Sequence, residues 1–148
     1  TNVGMAILDQ LKKGFGLDLK RESVLMDEYI KSLSIKCRDS NQKAKALSGG
    51  NQQKVVIAKW LATKPKVLIM DEPTRGIDIG SKNQIYALIN DLAKQGIGII
   101  MISSELPEVL QVANNIVVFA AGKITGRLEN KDLTQDILLD YATSQKAI

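Results

Sequence analysis

Histidine is absent from these 148 residues and cysteine occurs once, at Cys37. Without histidine the chain has no imidazole to hold or release a proton near neutral pH. A single thiol excludes an internal disulfide and suits a reducing compartment, so Cys37 is read as a bystander. No apolar run approaches the roughly 20 residues that span a bilayer, so any membrane contact is expected to go through a partner. The opening Thr1-Asn2-Val3-Gly4 has no Met, and no basic stretch leads into an apolar one. It is therefore read as the start of a fragment, not as a signal peptide. Internal repeats and low-complexity segments are lacking too. The net charge of +4 is modest and the lysines are spread along the chain, so nothing indicates a nucleic-acid partner.

What is present is ordinary globular usage, 45% hydrophobic and 24% charged, at a length that allows one domain with a core. Residues 1–46 read as helical and irregular. Val3, Ile7, Leu8 and Leu11 have helical spacing, and Gly14 and Gly16 then break the pattern. A second helix is expected over 21–33, with Val24, Leu25, Tyr29, Ile30 and Leu33 near one face. A polar loop follows over 34–45.

From Leu47 onward helices and strands alternate. A helix over 51–63 offers Val55, Ile57, Ala58, Trp60 and Leu61 for burial, and Trp60 is read as a core or packing residue. Val67-Leu68-Ile69-Met70 is a short apolar run of the kind found in central parallel strands. A helix over 81–95 carries Ile85, Leu88, Ile89 and Leu92 on one stripe, with Gly96 a candidate at its C-terminal cap. A strand over 97–102 and a helix over 106–113 follow, with Pro107 tolerated in the first helical turn. Met70 and Met101, on consecutive strands, read as core. Strands over 116–120 and 123–128 pair across Ala121-Gly122, and a last helix runs over 134–143. The alternation predicts an α/β layer with a mostly parallel sheet flanked by helices.

Two stretches carry chemistry. In Leu47-Ser48-Gly49-Gly50-Asn51-Gln52-Gln53-Lys54, Ser48 is placed to cap a helix, and the glycines allow another surface to approach the backbone. Such a helix N-terminus suits phosphate oxygens, although a Ser-Gly-Gly turn that merely caps a helix reads the same way. In Val67-Leu68-Ile69-Met70-Asp71-Glu72-Pro73-Thr74, two acids end an apolar strand, at the edge where open α/β folds bind ligands. Asp71 is suited to hold Mg²⁺ through water, and Glu72 to orient an attacking water. An acidic cap and turn after a strand is the alternative.

Taken together, these stretches resemble the ABC ATPase family. Residues 47–53 look like its signature motif, and residues 67–72 like its Walker B strand with the catalytic glutamate. Arg75-Gly76-Ile77-Asp78 stands where the family has its D-loop, with Asp78 matching the D-loop aspartate. Asn51-Gln52-Gln53-Lys54, Thr74-Arg75-Gly76-Ile77-Asp78-Ile79-Gly80 and Ser103-Ser104-Glu105-Leu106-Pro107-Glu108-Val109 look more narrowly like the second half of tandem ATPases that import ribose, galactose and related sugars. The resemblance implies a partial P-loop NTPase domain. Residues 1–46 would be the remainder of the helical subdomain, and residues 47–148 the C-terminal part of the nucleotide-binding core.

Three departures qualify the resemblance. No Gly-x-x-x-x-Gly-Lys-Ser/Thr phosphate loop occurs in these residues, so the chain is expected to begin after it and not to hydrolyse ATP by itself. The Q-loop is not placed either. The switch histidine that follows the next strand in the family corresponds here to Ser104, whose hydroxyl is shorter and cannot hold a proton as imidazole does.

The resemblance further implies ATP and Mg²⁺ as ligands of the full-length protein. Ser48, Gly49 and Gly50 would contact ATP held by a partner half; Gln53 and Asp78 are counted among the nucleotide-binding residues. Asp71, as the metal ligand, and Glu72 and Ser104, as catalytic residues, would serve this half's own site. Gln53 and Lys54 read equally well as support for the helix or as a solvated face. The implied partners are the other nucleotide-binding half, transmembrane permease subunits and, indirectly, a sugar-binding protein, at the cytoplasmic face of the membrane. A soluble ABC ATPase of translation or DNA repair, and a degenerate regulatory half, are the alternatives.

Overall fold

The computed structural model describes residues 3–13 and 16–144. Gly14, expected to break the first helix, lies outside the described residues. The chain falls into two compact units, Thr1–Leu68 with Pro73–Ile100, and Ile69–Glu72 with Met101–Ile148.

The first unit opens with a 3-10 turn, Gly4–Ile7, running into helix α1, Leu8–Leu11. Val3, Ile7 and Leu11 are buried one turn apart, whereas Leu8, expected beside them, is exposed. Strands β1, Lys12–Lys13, and β2, Gly16–Leu17, form a short antiparallel pair. Helix α2, Leu19–Ser32, starts where the Asp18 carboxylate accepts from the Arg21 N–H at 3.0 Å. Its buried residue is Met26, and Val24 points outward. Met26, Ile30 and Leu33 recur at helical spacing, and Val24 sits about 200° round the axis from Met26, which explains the difference from expectation.

Helix α3, Gly49–Leu61, buries Lys54, Ile57, Ala58 and Leu61 along one stripe. Trp60 is half exposed, not core as expected. It shares the opposite face with exposed Val56, and the Lys59 ammonium lies 5.2 Å from its ring centroid.

Next come strand β3, Val67–Asp71, helix α4, Ile79–Lys94, and strand β4, Gly98–Ile102. α4 buries Ile85, Ile89 and Leu92, and also Tyr86, which the stripe of aliphatic residues does not reveal. Complete burial of a side chain such as Ile85 is worth about 1.5–3 kcal/mol. The helix ends as expected at Gly96, whose φ of +90° suits a residue without Cβ. The Gly96 N–H donates to Ala93 O and the Ile97 N–H to Leu92 O, the paired bonds of a Schellman motif.

β3 and β4 pair in parallel. Gly98 N–H donates to Lys66 O at their starts, and Glu72 N–H to Ile102 O at their ends. Leu68 and Met70 are buried, but Val67 and Ile69 are 53% and 64% exposed. β3 has β4 as its one partner among the described strands, so it alternates as a half-buried strand does, not as a central one.

The second unit continues with helix α5, Leu106–Val112, strands β5, Asn115–Ala120, and β6, Lys123–Glu129, and helix α6, Gln135–Thr143. β5 and β6 form the expected antiparallel hairpin, with a register shift between Val118 and Phe119. Ala121 and Gly122 both have positive φ, as a two-residue type I′ turn requires. The Thr134 side chain caps α6 by accepting from the Ile137 N–H. Buried Thr125 donates its hydroxyl to Tyr141 O at 2.8 Å, tying the hairpin to α6. Among the described residues no helix is long and apolar enough to cross a membrane.

Candidate functional site

The N-terminus of α3 carries the first group of candidate residues. Ser48 stands at the N-cap position with extended backbone, and its carbonyl accepts the Gln52 N–H at 2.9 Å. Its hydroxyl does not accept a backbone N–H, contrary to the expected cap. Instead it accepts from the Asn51 side-chain amide at 2.8 Å, while Asn51 Oδ1 takes the Lys36 N–H at 2.7 Å. The first helical turn is therefore left without a side-chain cap, and its N–H groups keep the partial positive charge that favours anions.

The glycines fulfil the expected close approach, and the surface that approaches is this chain's own. A Cβ on Gly50 would come within 2.5 Å of Ser81 Cβ and Oγ, and one on Gly49 within 3.0 Å of Ile77 Cγ2. Asp78 explains why Ser81 is there. Asp78 is the N-cap of α4, accepting the Ser81 N–H at 2.9 Å and the Ser81 hydroxyl at 2.7 Å. These bonds, the hydroxyl first, hold the Asp78 carboxyl below its ordinary range.

A polar cavity of about 250 Å³ lies where the two helices begin, lined by Lys36, Ser48, Gly50, Asn51, Lys54, Asp78 and neighbouring residues of α4. Ser48, Gly50 and Asp78 are thus brought together, whereas Gln53 is half-buried elsewhere on α3. Lys54 is the residue that the sequence reading undervalued. It is 5% exposed, and its ammonium donates to Ser34 O at 3.2 Å and Gln84 Oε1 at 3.0 Å. Burial, and then the nearby Lys36 charge, lowers its pKa. Its place at the head of the Ile57, Ala58 and Leu61 stripe was a visible signal that it faces inward.

The second group lies at the end of β3. Asp71 is its exposed last residue, and Glu72 follows at φ +46°, a left-handed conformation costing a non-glycine residue about 1–3 kcal/mol. Glu72 Oε1 accepts the Ser104 backbone N–H at 3.0 Å. Ser104 is therefore beside Glu72 as expected, but the amide and not the hydroxyl meets the carboxylate. Among the described residues no three His, Cys, Asp or Glu side chains gather into a metal cage. The exposed Asp71 carboxyl at a strand end is an oxygen donor of the kind that suits Mg²⁺, which keeps several waters and takes further oxygens from substrate phosphates.

A family model for ABC transporters matches residues 4–75. The ribose import ATP-binding protein RbsA of Shouchella clausii is 47% identical over 142 residues, covering 96% of this chain and 28% of that protein. The arabinose import ATP-binding protein AraG 1 of Burkholderia thailandensis is 50% identical over 139 residues, with 93% and 28% covered. The chain thus spans less than a third of the length of these curated relatives. Among solved structures, an ABC transporter in an inward-facing conformation superposes with a TM-score of 0.81 at 20% identity, covering 95% of this chain and 55% of that one. A dimeric post-hydrolysis state of the ATP-binding cassette MJ0796, bound to ADP and Pi, gives 0.69 at 23% identity, with 88% and 56% covered. At such identities the superpositions speak for the fold alone. The matched model, the import ATP-binding relatives and the signature and Walker B stretches agree: the chain belongs to the ABC transporter ATPase family.

Proposed function

We propose that this chain is the C-terminal part of the second nucleotide-binding half of a monosaccharide importer, coupling ATP hydrolysis to sugar uptake. The observation that carries the reading is the placing of the signature residues at an uncapped helix start and of Asp71 and Glu72 at a strand end. The identity to ribose and arabinose import ATP-binding proteins supports the sugar class. Residues 1–46 serve as the remainder of the helical subdomain, which meets transmembrane permease subunits at the cytoplasmic face of the membrane. Residues 47–148 serve as nucleotide-binding core.

In this reading Ser48, Gly49 and Gly50 present backbone N–H groups to the phosphates of ATP bound by the other half. Asp78 keeps the start of α4 in register beneath them. Asp71 would hold Mg²⁺ at this half's own site. A Mg²⁺ ion bound there would supply positive charge to offset that of the phosphates. Glu72 accepts a hydrogen bond from the attacking water and orients it. Its second anchor is the Ser104 amide, which supplies a hydrogen bond but no titrating proton. Because the chain has no histidine, this half's own site is the slower of the two, while its signature supports a competent partner site.

The test compares Glu72→Gln with the matching change in the other half of the parent polypeptide. Glu72→Gln should reduce transport-coupled ATPase activity much less than its counterpart does. Equal losses would refute the asymmetry. The absence of histidine also fits a half that only dimerises around ATP, a reading that any Glu72-dependent turnover would remove.

A further inference from the structure

The loop that carries the Ser104 amide is itself held by a buried acid. Glu108, on α5, is 2% exposed, and its Oε2 accepts the Ser103 hydroxyl proton at 2.5 Å. The same Ser103 oxygen accepts the Glu105 N–H at 3.0 Å. Ser103 is thus fixed from both sides, and the next residue, Ser104, donates its N–H to Glu72 Oε1 at 3.0 Å. The connected atoms run from a buried carboxyl, through a serine hydroxyl and one residue of backbone, to the carboxylate proposed to orient water.

We propose that Glu108, acting through Ser103, is a positioning residue for Glu72. The physical need is specific to this chain. Glu72 sits at φ +46°, a strained backbone that persists only where surrounding contacts hold it. These residues offer no imidazole to meet it, and a backbone amide can do so only if the loop bearing it is stationary. A buried carboxyl placed on a helix is a rigid anchor, because burial and the helix together restrict its rotamers. Ser103 is the small side chain that transfers this constraint to the loop while satisfying the Glu105 N–H. The motif Ser103-Ser104-Glu105-Leu106-Pro107-Glu108 sets the spacing. Pro107 starts α5 early enough for Glu108 to turn back one helical turn toward Ser103.

The inference rests on the proposed role of Glu72, and its test separates the two. The first measurement is the amide proton shift of Ser104 in ¹H–¹⁵N spectra of the full chain. A bond to a carboxylate moves the signal downfield, and Glu72→Gln should weaken that displacement while leaving the remaining spectrum in place. Ser103→Ala and Glu108→Leu should weaken it as well, and Glu108→Gln, which still accepts from a hydroxyl, should restore most of it. A merely structural role would alter thermal stability without moving this signal selectively. If Glu108→Leu does not fold, Ser103→Ala decides alone, since it removes only the linking oxygen. A Ser104 signal that stays downfield in Ser103→Ala overturns the inference.

The second measurement is steady-state ATPase activity of the parent polypeptide. Ser103→Ala should lower kcat in the same direction as Glu72→Gln and by no more than that change does, with KM for MgATP within about twofold. Loss of the Ser104 signal together with an inert Glu72→Gln would keep the positioning contact and remove the role assigned to Glu72. An unmoved kcat in Ser103→Ala, with Glu72→Gln impaired, would overturn the positioning role.

Discussion

Gly50 and Ser81 meet without room for a further atom. A Cβ on Gly50 would stand 2.5 Å from Ser81 Cβ and Oγ, so Gly50→Ala must displace the start of α3 or of α4. The expected destabilisation is about 1–3 kcal/mol by urea unfolding, the usual range for overpacking. Ser81→Gly removes the obstacle, so the double variant should lose less than the two single costs added together. Strict additivity would mean that the clash is relieved elsewhere. Ser81 also sets the titration of its neighbour. Its hydroxyl and N–H depress the Asp78 pKa, so this contribution to stability is present above the unfolded value near 3.9 and is lost as pH falls through the folded one. The gap in stability between the parent chain and Ser81→Ala should therefore be visible at neutral pH and close in acid. A gap that widens in acid would reverse the sign of the argument.

At the scale of elements, the hairpin of β5 and β6 carries a local misfit. Its turn needs positive φ at both central residues, and Ala121 adopts +48° beside Gly122 at +75°. Ala121→Asn puts there a residue that tolerates left-handed backbone, and should raise stability by roughly 0.5–1 kcal/mol in thermal or urea unfolding. An unchanged or lowered midpoint would count against a type I′ turn. The other elements show which signals in the sequence were readable. α4 was legible from its stripe and from Gly96, because both are local consequences of helical geometry. The face of α2 was not, since Val24 and Met26 are both apolar and two residues apart, and composition alone does not choose between them. Trp60 misled for a related reason: a large apolar side chain carries no record of the side of the helix on which neighbours are placed.

For the molecule as a whole, the decisive question is where nucleotide phosphates are held. These 148 residues contain no Gly-x-x-x-x-Gly-Lys-Ser/Thr cradle, and the signature end of α3 serves, in the proposed arrangement, ATP bound elsewhere. Calorimetric titration of the chain with MgATP should show no saturable binding in the micromolar range. Saturable micromolar binding would reveal a phosphate site of the chain's own, with the cavity where α3 and α4 begin the first place to substitute. The exposed apolar residues of β3 and β4, Val67, Ile69, Ile100 and Ile102, belong to this scale as well, since each leaves half or more of its surface open.

Sequence by itself determined the family, the order of helices and strands from Leu47 onward, and the places of Ser48, Gly49, Gly50, Asp71, Glu72 and Asp78 at the ends of those elements, because motif spacing and hydrophobic period are local properties, whereas the short pair of β1 and β2 left no such signal. Tertiary structure decided what those residues touch. Only the fold brings Ser81 against Gly50, turns Lys54 inward to Ser34 and Gln84, and sets the Ser104 amide on Glu72 with Glu108 behind it. Such contacts join residues from different elements. Their geometry depends on how helices and strands pack, and a linear pattern carries no record of that packing.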